Sequence, residues 1–143
     1  EWLVEKATEI GISEISFLQC RRSERKEIRI DRIEKIALSA MKQSMKAFLP
    51  VIHPMQPFPE FLSKSGLPEE KYICVMDGTT HLSDQMSKGK NAIVMIGPEG
   101  DFHPDEVDLA MAKGFRKSSL GKERLRTETA ALVSCMIFSL KNQ

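Results

Sequence analysis

Short apolar segments alternate with amphipathic helical segments along almost the whole chain, and this alternation restricts the possible folds more than any other feature. Residues 72–76 and 92–96 are uninterrupted apolar runs, which is typical of parallel strands covered on both faces. Elsewhere, helical patterns are found in residues 2–10, 29–48, 104–113 and 128–140. Strands that alternate with helices form a parallel sheet with helices on its faces. The sequence therefore predicts one α/β domain over residues 1–143, with a mostly parallel sheet and flanking helices.

Three weaker strands complete the predicted sheet, at residues 12–18, 51–52 and 115–120. The second is short because Pro54, Pro57 and Pro59 argue against a central strand beyond it. The long helix over residues 29–48 is expected to carry Met45 and Phe48 on its apolar face and to stop before Pro50.

Composition excludes several classes of protein. The chain has 143 residues, a formal net charge of +1 and ordinary apolar and charged fractions, so disordered and collagen-like chains are ruled out. No apolar run approaches the roughly 18 residues that a membrane span needs.

Cys20, Cys74 and Cys135 are far apart, which predicts buried thiols in a reducing cytoplasm rather than a metal site or disulfides. The chain opens at Glu1 within a helical pattern, so we expect a longer protein with a further N-terminal segment.

The last predicted helix is apolar around most of its circumference. Between residues 130 and 140 only Ser134 and Ser139 are not hydrophobic. Such a helix must be covered on more than one side. In so small a domain, we expect the second cover to be another copy of the chain.

Two glycine-bearing loops follow predicted strands, where ligands bind in open parallel sheets. The first, Gly97-Pro98-Glu99-Gly100-Asp101-Phe102, is also compatible with a plain strand-to-helix turn, and it does not match a dinucleotide-binding fingerprint. The second loop runs from Leu120 to the last helix, for which Thr127 is the expected N-cap. It places Arg124 and Arg126 next to a positive helix end, which is unfavourable unless an anion binds there. A solvated basic loop is the alternative.

Basic residues are concentrated in two segments. Residues 21–35 hold seven cations and four acids, and residues 113–128 hold six cations and two acids. On the long helix, a basic stripe lies opposite the apolar face and consists of Arg32, Lys35, Lys42 and Lys46. It could follow a phosphate backbone, or could serve solubility alone. Ser44 interrupts the apolar face, either to bond back to the preceding turn or, with Gln43, to reach a loop or substrate.

Several motifs together resemble one known family. They are Glu5 to Gly11 (EKATEIG), Arg22-Ser23, Gln43-Ser44, Gly97 to Gly100 (GPEG), Leu120-Gly121 and Leu125 to Ala130 (LRTETA). In this order they resemble the bacterial small-subunit ribosomal RNA uracil-N3-methyltransferases of the SPOUT superfamily. The chain departs from the family pattern at Asp101, where a glycine is usual, at Glu123-Arg124, where Arg-Ile is usual, and at Lys42, where a glutamate is common.

The resemblance implies a parallel α/β sheet with a C-terminal deep trefoil knot, a homodimer that packs the last helix near the partner's site, and an N-terminal RNA-binding barrel outside this chain. It also implies a pocket for S-adenosylmethionine. We expect its contacts from Ile96, Gly97, Pro98, Glu99, Gly100, Leu120, Gly121, Leu125, Arg126 and Thr127. No metal site is expected.

The predicted activity is methyl transfer to N3 of a uridine in small-subunit ribosomal RNA. Arg126 is the expected catalytic cation. Glu128 and Glu99 are weaker candidates for the proton acceptor. The substrate contacts are expected from Arg22, Ser23, Gln43, Ser44, Lys42 and Lys46. Two alternatives stay open, namely methylation of a ribose 2′-oxygen by the same pocket and a non-enzymatic RNA-binding or dimerisation module.

Overall fold

The computed structural model describes residues 1–24 and 27–143 and has the expected α/β architecture. Arg25 and Lys26, which belong to the first basic segment, lie outside the described residues. The elements in chain order are α1 (Trp2–Ile10), β1 (Glu14–Gln19), α2 (Ile30–Gln43), β2 (Val51–Pro57), α3 (Phe58–Leu62), β3 (Glu70–Cys74), α4 (Leu82–Gln85), β4 (Ala92–Ile96), α5 (Pro104–Ala112), β5 (Arg116–Ser118) and α6 (Thr127–Lys141). Among the described helices, none is long and apolar enough to cross a membrane.

The strands form two parallel sheets rather than the one predicted. β1 pairs with β2, and a second sheet has the order β4-β3-β5. Within residues 1–24 and 27–143, all three strand pairings are parallel. The parallel sheet predicted from the sequence is thus confirmed, but it is divided in two.

The second sheet is covered on both faces, as its apolar runs predict. On one face, Ile73 of β3 packs into a core with Phe58, Phe61 and Phe102. On the other face, Tyr72 and Cys74 pack with residues of α4 and α6. A third cluster joins α1 and α2 to the first sheet through Val4, Ile33 and Ala37. Alternate residues of β3 therefore belong to different cores.

Two predicted boundaries are wrong for local reasons. The long helix α2 ends at Gln43, and Met45 takes a positive φ of 59°. As a result Met45 and Phe48 are 91% and 86% exposed, although their spacing predicted a buried face. β2 continues to Pro57 through Pro54, because it pairs only with β1 and a register irregularity falls at this point.

Candidate functional site

A cleft lies at the carboxyl ends of β3 and β4 and beside the loop that joins β5 to α6. It has an empty volume of about 600 Å³, part of which is open to solvent. Three segments line it. They are Cys74 to Met76 after β3, Ile96 to Glu99 with Asp101 after β4, and residues of the loop into α6, namely Leu120, Gly121, Glu123, Arg124, Leu125, Thr127 and Ala130. The cleft is therefore at the edge where parallel sheets bind ligands.

Most of the residues predicted to contact the cofactor line this cleft. They are Ile96, Gly97, Pro98, Glu99, Leu120, Gly121, Leu125 and Thr127. Gly100 and Arg126 are not among the lining residues. Both are exposed, and each follows directly on a lining residue. The structure thus brings the two glycine loops together, as their positions after strands predicted.

A hydrogen bond joins the two loops across the cleft. The Thr127 hydroxyl donates to the carbonyl oxygen of Gly97 at 2.9 Å. The prediction that Thr127 is the N-cap is wrong, because α6 begins at Thr127 and the N-cap is Arg126. Arg126 makes no side-chain capping bond, and its carbonyl accepts the amide of Ala130 at 2.8 Å. The hydroxyl of Thr127 is therefore used to tie α6 to the β4 loop.

Arg22 connects the end of β1 to the first glycine loop. Its guanidinium donates to the carbonyl oxygen of Gly100 at 2.7 Å. Ser23 stabilises this turn, because its hydroxyl accepts the amide of Cys20 at 3.0 Å. The predicted substrate residues Arg22 and Ser23 thus lie next to the GPEG loop, although neither lines the cleft.

The other predicted substrate residues lie near the amino ends of β1 and β2, the strands of the first sheet. They are Lys42, Gln43, Ser44 and Lys46, which stand at the end of α2. The next strand, β2, begins at Val51, which pairs with Glu14 at the amino end of β1. Since β1 has six residues, this edge is about 20 Å from its carboxyl end. The structure therefore does not bring this group to the cleft of its own chain.

The side chains of this second group also have local roles. The Ser44 hydroxyl donates to the carbonyl oxygen of Ala40 at 2.7 Å, as the simpler interpretation predicted. The ammonium of Lys46 lies 3.8 Å from the position that a Cβ would take at Gly11, at the end of α1. In the predicted basic stripe, Arg32 is paired with Glu1 at 2.6 Å. Lys35 and Lys42 remain exposed on α2, so the stripe is less continuous than predicted.

The charged residues of the cleft are mainly acidic. Glu99, Asp101 and Glu123 carry three negative charges, and Arg124 carries one positive charge. Cys74 lies at the base of the cleft, and burial together with the nearby Asp101 charge raises the pKa of its thiol to about 12. This thiol is therefore a neutral part of the wall and not a nucleophile.

Sequence reasoning missed the contribution of β3. Cys74, Val75 and Met76 line the cleft, but the Asp77-Gly78 pair that follows them was not interpreted as a ligand-binding loop. The rule that ligands bind beyond the carboxyl ends of parallel strands would have indicated these residues. Asp101 and Arg124, two positions at which the chain departs from the family pattern, line it as well.

Comparisons with known proteins agree with this geometry. Residues 1–139 match the family model described as an RNA methyltransferase domain. The chain is 31% identical to the Ribosomal RNA small subunit methyltransferase E of Mesomycoplasma hyopneumoniae, over 92% of this chain and 60% of the relative.

Two solved structures share the fold. A probable rRNA-methyltransferase from Porphyromonas gingivalis has a TM-score of 0.90 and 41% identity, with 99% of this chain and 61% of that chain covered. A Ribosomal RNA small subunit methyltransferase E from Neisseria gonorrhoeae, bound to S-adenosyl methionine, has a TM-score of 0.86 and 30% identity. The match covers 94% of this chain and 57% of that chain. The chain thus spans about three fifths of the length of each of these relatives.

Proposed function

Because the chain belongs to the family of RNA methyltransferase domains, we propose that it transfers the methyl group of S-adenosylmethionine to N3 of a uridine in small-subunit ribosomal RNA. The observation that carries this proposal is the cleft in which the two glycine loops meet. The hydrogen bond from Thr127 to Gly97 holds its two sides together. The relative from Neisseria gonorrhoeae with the same fold is bound to S-adenosyl methionine. Residues 1–143 are proposed to form one methyltransferase domain.

The residues of the cleft fit such a cofactor. Ile96, Leu120, Leu125 and Ala130 provide apolar surface for a flat base. Gly121 has a φ of 116°, and a Cβ built there would meet no atom of the described residues within 4 Å, so its backbone is open to a ligand. The charged residues Glu99, Asp101, Glu123 and Arg124 suit a ligand with both charged and apolar parts.

Bound S-adenosylmethionine would supply the methyl group, and the transfer would leave S-adenosylhomocysteine, a methylated base and one released proton. The task of the chain is then to hold methyl group and nucleophile in line and to exclude water. We propose Arg126 as the cation that stabilises the negative charge developing on the uracil, because it precedes α6 directly beside the cleft. Glu128, in the first turn of α6, is the proposed proton acceptor, and Glu99 is the alternative.

The substrate RNA is proposed to contact the cations outside the cleft. Arg22 and Ser23 stand next to Gly100, where they can reach nucleotides flanking the target base. Lys42 and Lys46, with Gln43 and Ser44, are about one strand length away. They would therefore contact more distant RNA or the RNA at another protomer's cleft.

A homodimer in the cytoplasm is the proposed working form. α1 and α6 pack against each other, and Trp2, Met136 and Leu140 of these helices are 50%, 44% and 60% exposed. Burial of these side chains would supply the second cover that α6 needs. Light scattering should give the mass of a dimer, and Met136→Glu should shift it toward the monomer because a charge would enter the interface. A wild-type monomer at tens of micromolar would contradict the proposal.

We further propose that the C-terminal part is knotted. β5 lies on the opposite side of β3 from β4, yet Thr127 then reaches Gly97 after β4. On the way, the Ser119 amide donates to the carbonyl of Thr80 and the Leu82 amide to the carbonyl of Ser119. The chain after β5 thus passes close to the loop after β3 before it returns to β4. An experimental trace of residues 75–130 decides whether it passes through that loop.

The activity test is transfer of a labelled methyl group from S-adenosylmethionine to small-subunit ribosomal RNA, followed by mapping of the modified atom. Label on uracil N3 is expected. Label on a ribose 2′-oxygen would favour the alternative activity, and the absence of both label and cofactor binding would favour a non-enzymatic module. Under single-turnover conditions Arg126→Ala should slow transfer by about 100-fold or more, with cofactor affinity changed much less. A near-normal rate would make Arg126 structural.

A further inference from the structure

Asp101 has a backbone conformation that disfavours any residue with a side chain. Its φ is 65°, and Met45 is the other non-glycine residue with positive φ in the described part of the chain. A left-handed conformation is unfavourable for residues with a Cβ, though least so for Asn and Asp. Glycine would adopt it without strain. The side chain of Asp101 must therefore contribute something that a glycine could not.

Part of that contribution is structural. The Asp101 amide closes a turn by donating to the carbonyl of Pro98 at 2.8 Å. One carboxylate oxygen accepts the amide of Phe102 at 2.8 Å, and the other accepts the amide of Met76 at 3.3 Å. The carboxylate thus joins the segments that follow β3 and β4 in the lining of the cleft.

The second contribution is a negative charge inside the cleft. Among its charged lining residues, Asp101 is half-buried, whereas Glu99, Glu123 and Arg124 are exposed. A half-buried charge is less screened by solvent and acts more strongly on its neighbours. Its effect is visible at Cys74, since the Asp101 charge adds to burial in raising the pKa of that thiol. A ligand in the cleft would experience the same field.

Resting on the proposed function, we propose that Asp101 is a specificity residue that favours the cationic sulfonium cofactor over its neutral thioether product. S-adenosylmethionine and S-adenosylhomocysteine have the same adenosine and amino-acid parts. They differ by one methyl group and by the positive charge on sulfur. For an assumed separation of about 7 Å between the carboxylate and that sulfur, and an effective dielectric constant of about 35 to 80 in a cleft open to solvent, the ratio of the two affinities should change by about three- to tenfold. The charge would thereby help the spent cofactor to leave after transfer.

The test is a calorimetric titration of the chain with each of the two ligands. Wild type, Asp101→Asn and Asp101→Gly are compared at low and moderate salt. Both variants remove the charge. Asp101→Gly also removes both side-chain hydrogen bonds but relieves the strained φ, so it remains informative even if Asp101→Asn fails to fold. Asp108→Asn is the matched control, because Asp108 is an exposed residue of α5 outside the lining of the cleft.

The decisive quantity is the dissociation constant for S-adenosylhomocysteine divided by that for S-adenosylmethionine. A purely structural role would weaken both ligands equally and leave this ratio unchanged. We expect the ratio to fall at least threefold in both Asp101 variants and to stay constant in Asp108→Asn. Added salt should change the wild-type ratio little, because a half-buried charge is only weakly screened. Equal ratios in wild type and both variants would overturn the specificity role while leaving the proposed function intact. If wild type binds neither ligand, the proposed function itself fails.

Discussion

The hydrogen bond between Thr127 and Gly97 should determine how well the cleft is formed. Thr127→Val keeps the branched shape but removes the donor to the Gly97 carbonyl, which lies 2.9 Å from the hydroxyl. A partly buried hydrogen bond of this kind contributes about 1 kcal/mol to the free energy of unfolding. In a chain of 143 residues this corresponds to a decrease in Tm of about 4 °C.

Cofactor affinity should fall with stability, because binding must then restore the position of the two loops. The loss of binding free energy cannot exceed the energy of the lost hydrogen bond. S-adenosylhomocysteine should therefore bind up to about fivefold more weakly to Thr127→Val. Thr127→Ser retains the hydroxyl and should recover most of both losses. Thr79→Val, at an exposed position, is the control for the substitution itself. Thermal melting with and without ligand measures both effects. If Tm falls but the affinity does not change, the bond stabilises the fold without shaping the cleft, and the reasoning is refuted.

Two further predictions concern the fold. Gly78→Ala should destabilise the chain by about 1–3 kcal/mol, because its new Cβ would lie 2.5 Å from the backbone oxygen of Ser118. Gly100→Ala should cost far less, because the nearest contact of its Cβ is the flexible Arg22 side chain at 3.3 Å. Equal urea midpoints for the two variants would contradict the close packing at Gly78. Burial raises the pKa of the Cys20 and Cys74 thiols from 9.0 to about 12. The unfolded chain therefore ionises first, and stability should be complete below pH 9 and decline toward pH 12. Urea midpoints at pH 8 and 10.5 measure this decline, which should be smaller in Cys74→Ala.

The sequence was most informative where a pattern is both local and strong. β4 is confirmed at residues 92–96 because an uninterrupted apolar run covered on both faces has few alternatives. The start of α5 at Pro104 is confirmed as well, and His103 and Glu106 form a reciprocal capping box there. These signals need no knowledge of distant residues.

Elements defined by tertiary contacts could not be read from the sequence. α3 and α4 have five and four residues, too few for a helical period to be recognised. α3 exists because Phe58 and Phe61 enter the main core. The exposure of Phe48 could not be predicted either, because it depends on the positive φ at Met45 that ends the apolar face of α2 early.

The same limit applies to the cleft. Its two glycine loops were predicted because a loop after an apolar strand is a local signal. The bond from Thr127 to Gly97 spans 30 residues and replaces the local cap that the sequence favoured. Likewise, the helical spacing of Lys42 and Lys46 indicates that they are exposed. Only the pairing of β1 with β2 shows that they lie near the amino ends of these strands, away from the cleft.

Hydrogen–deuterium exchange with and without S-adenosylhomocysteine tests the central claim most directly, because it reports both whether the ligand binds and where. Protection is expected in residues 74–76, 96–101 and 119–127, the segments that contain most of the lining residues of the cleft. Little change is expected in residues 42–52, which lead into the amino end of β2. Amides in the cores of β1 and β2 should keep their rates. Unchanged exchange at saturating ligand, or protection confined to residues outside the cleft, would contradict the assignment of this cleft as the cofactor site.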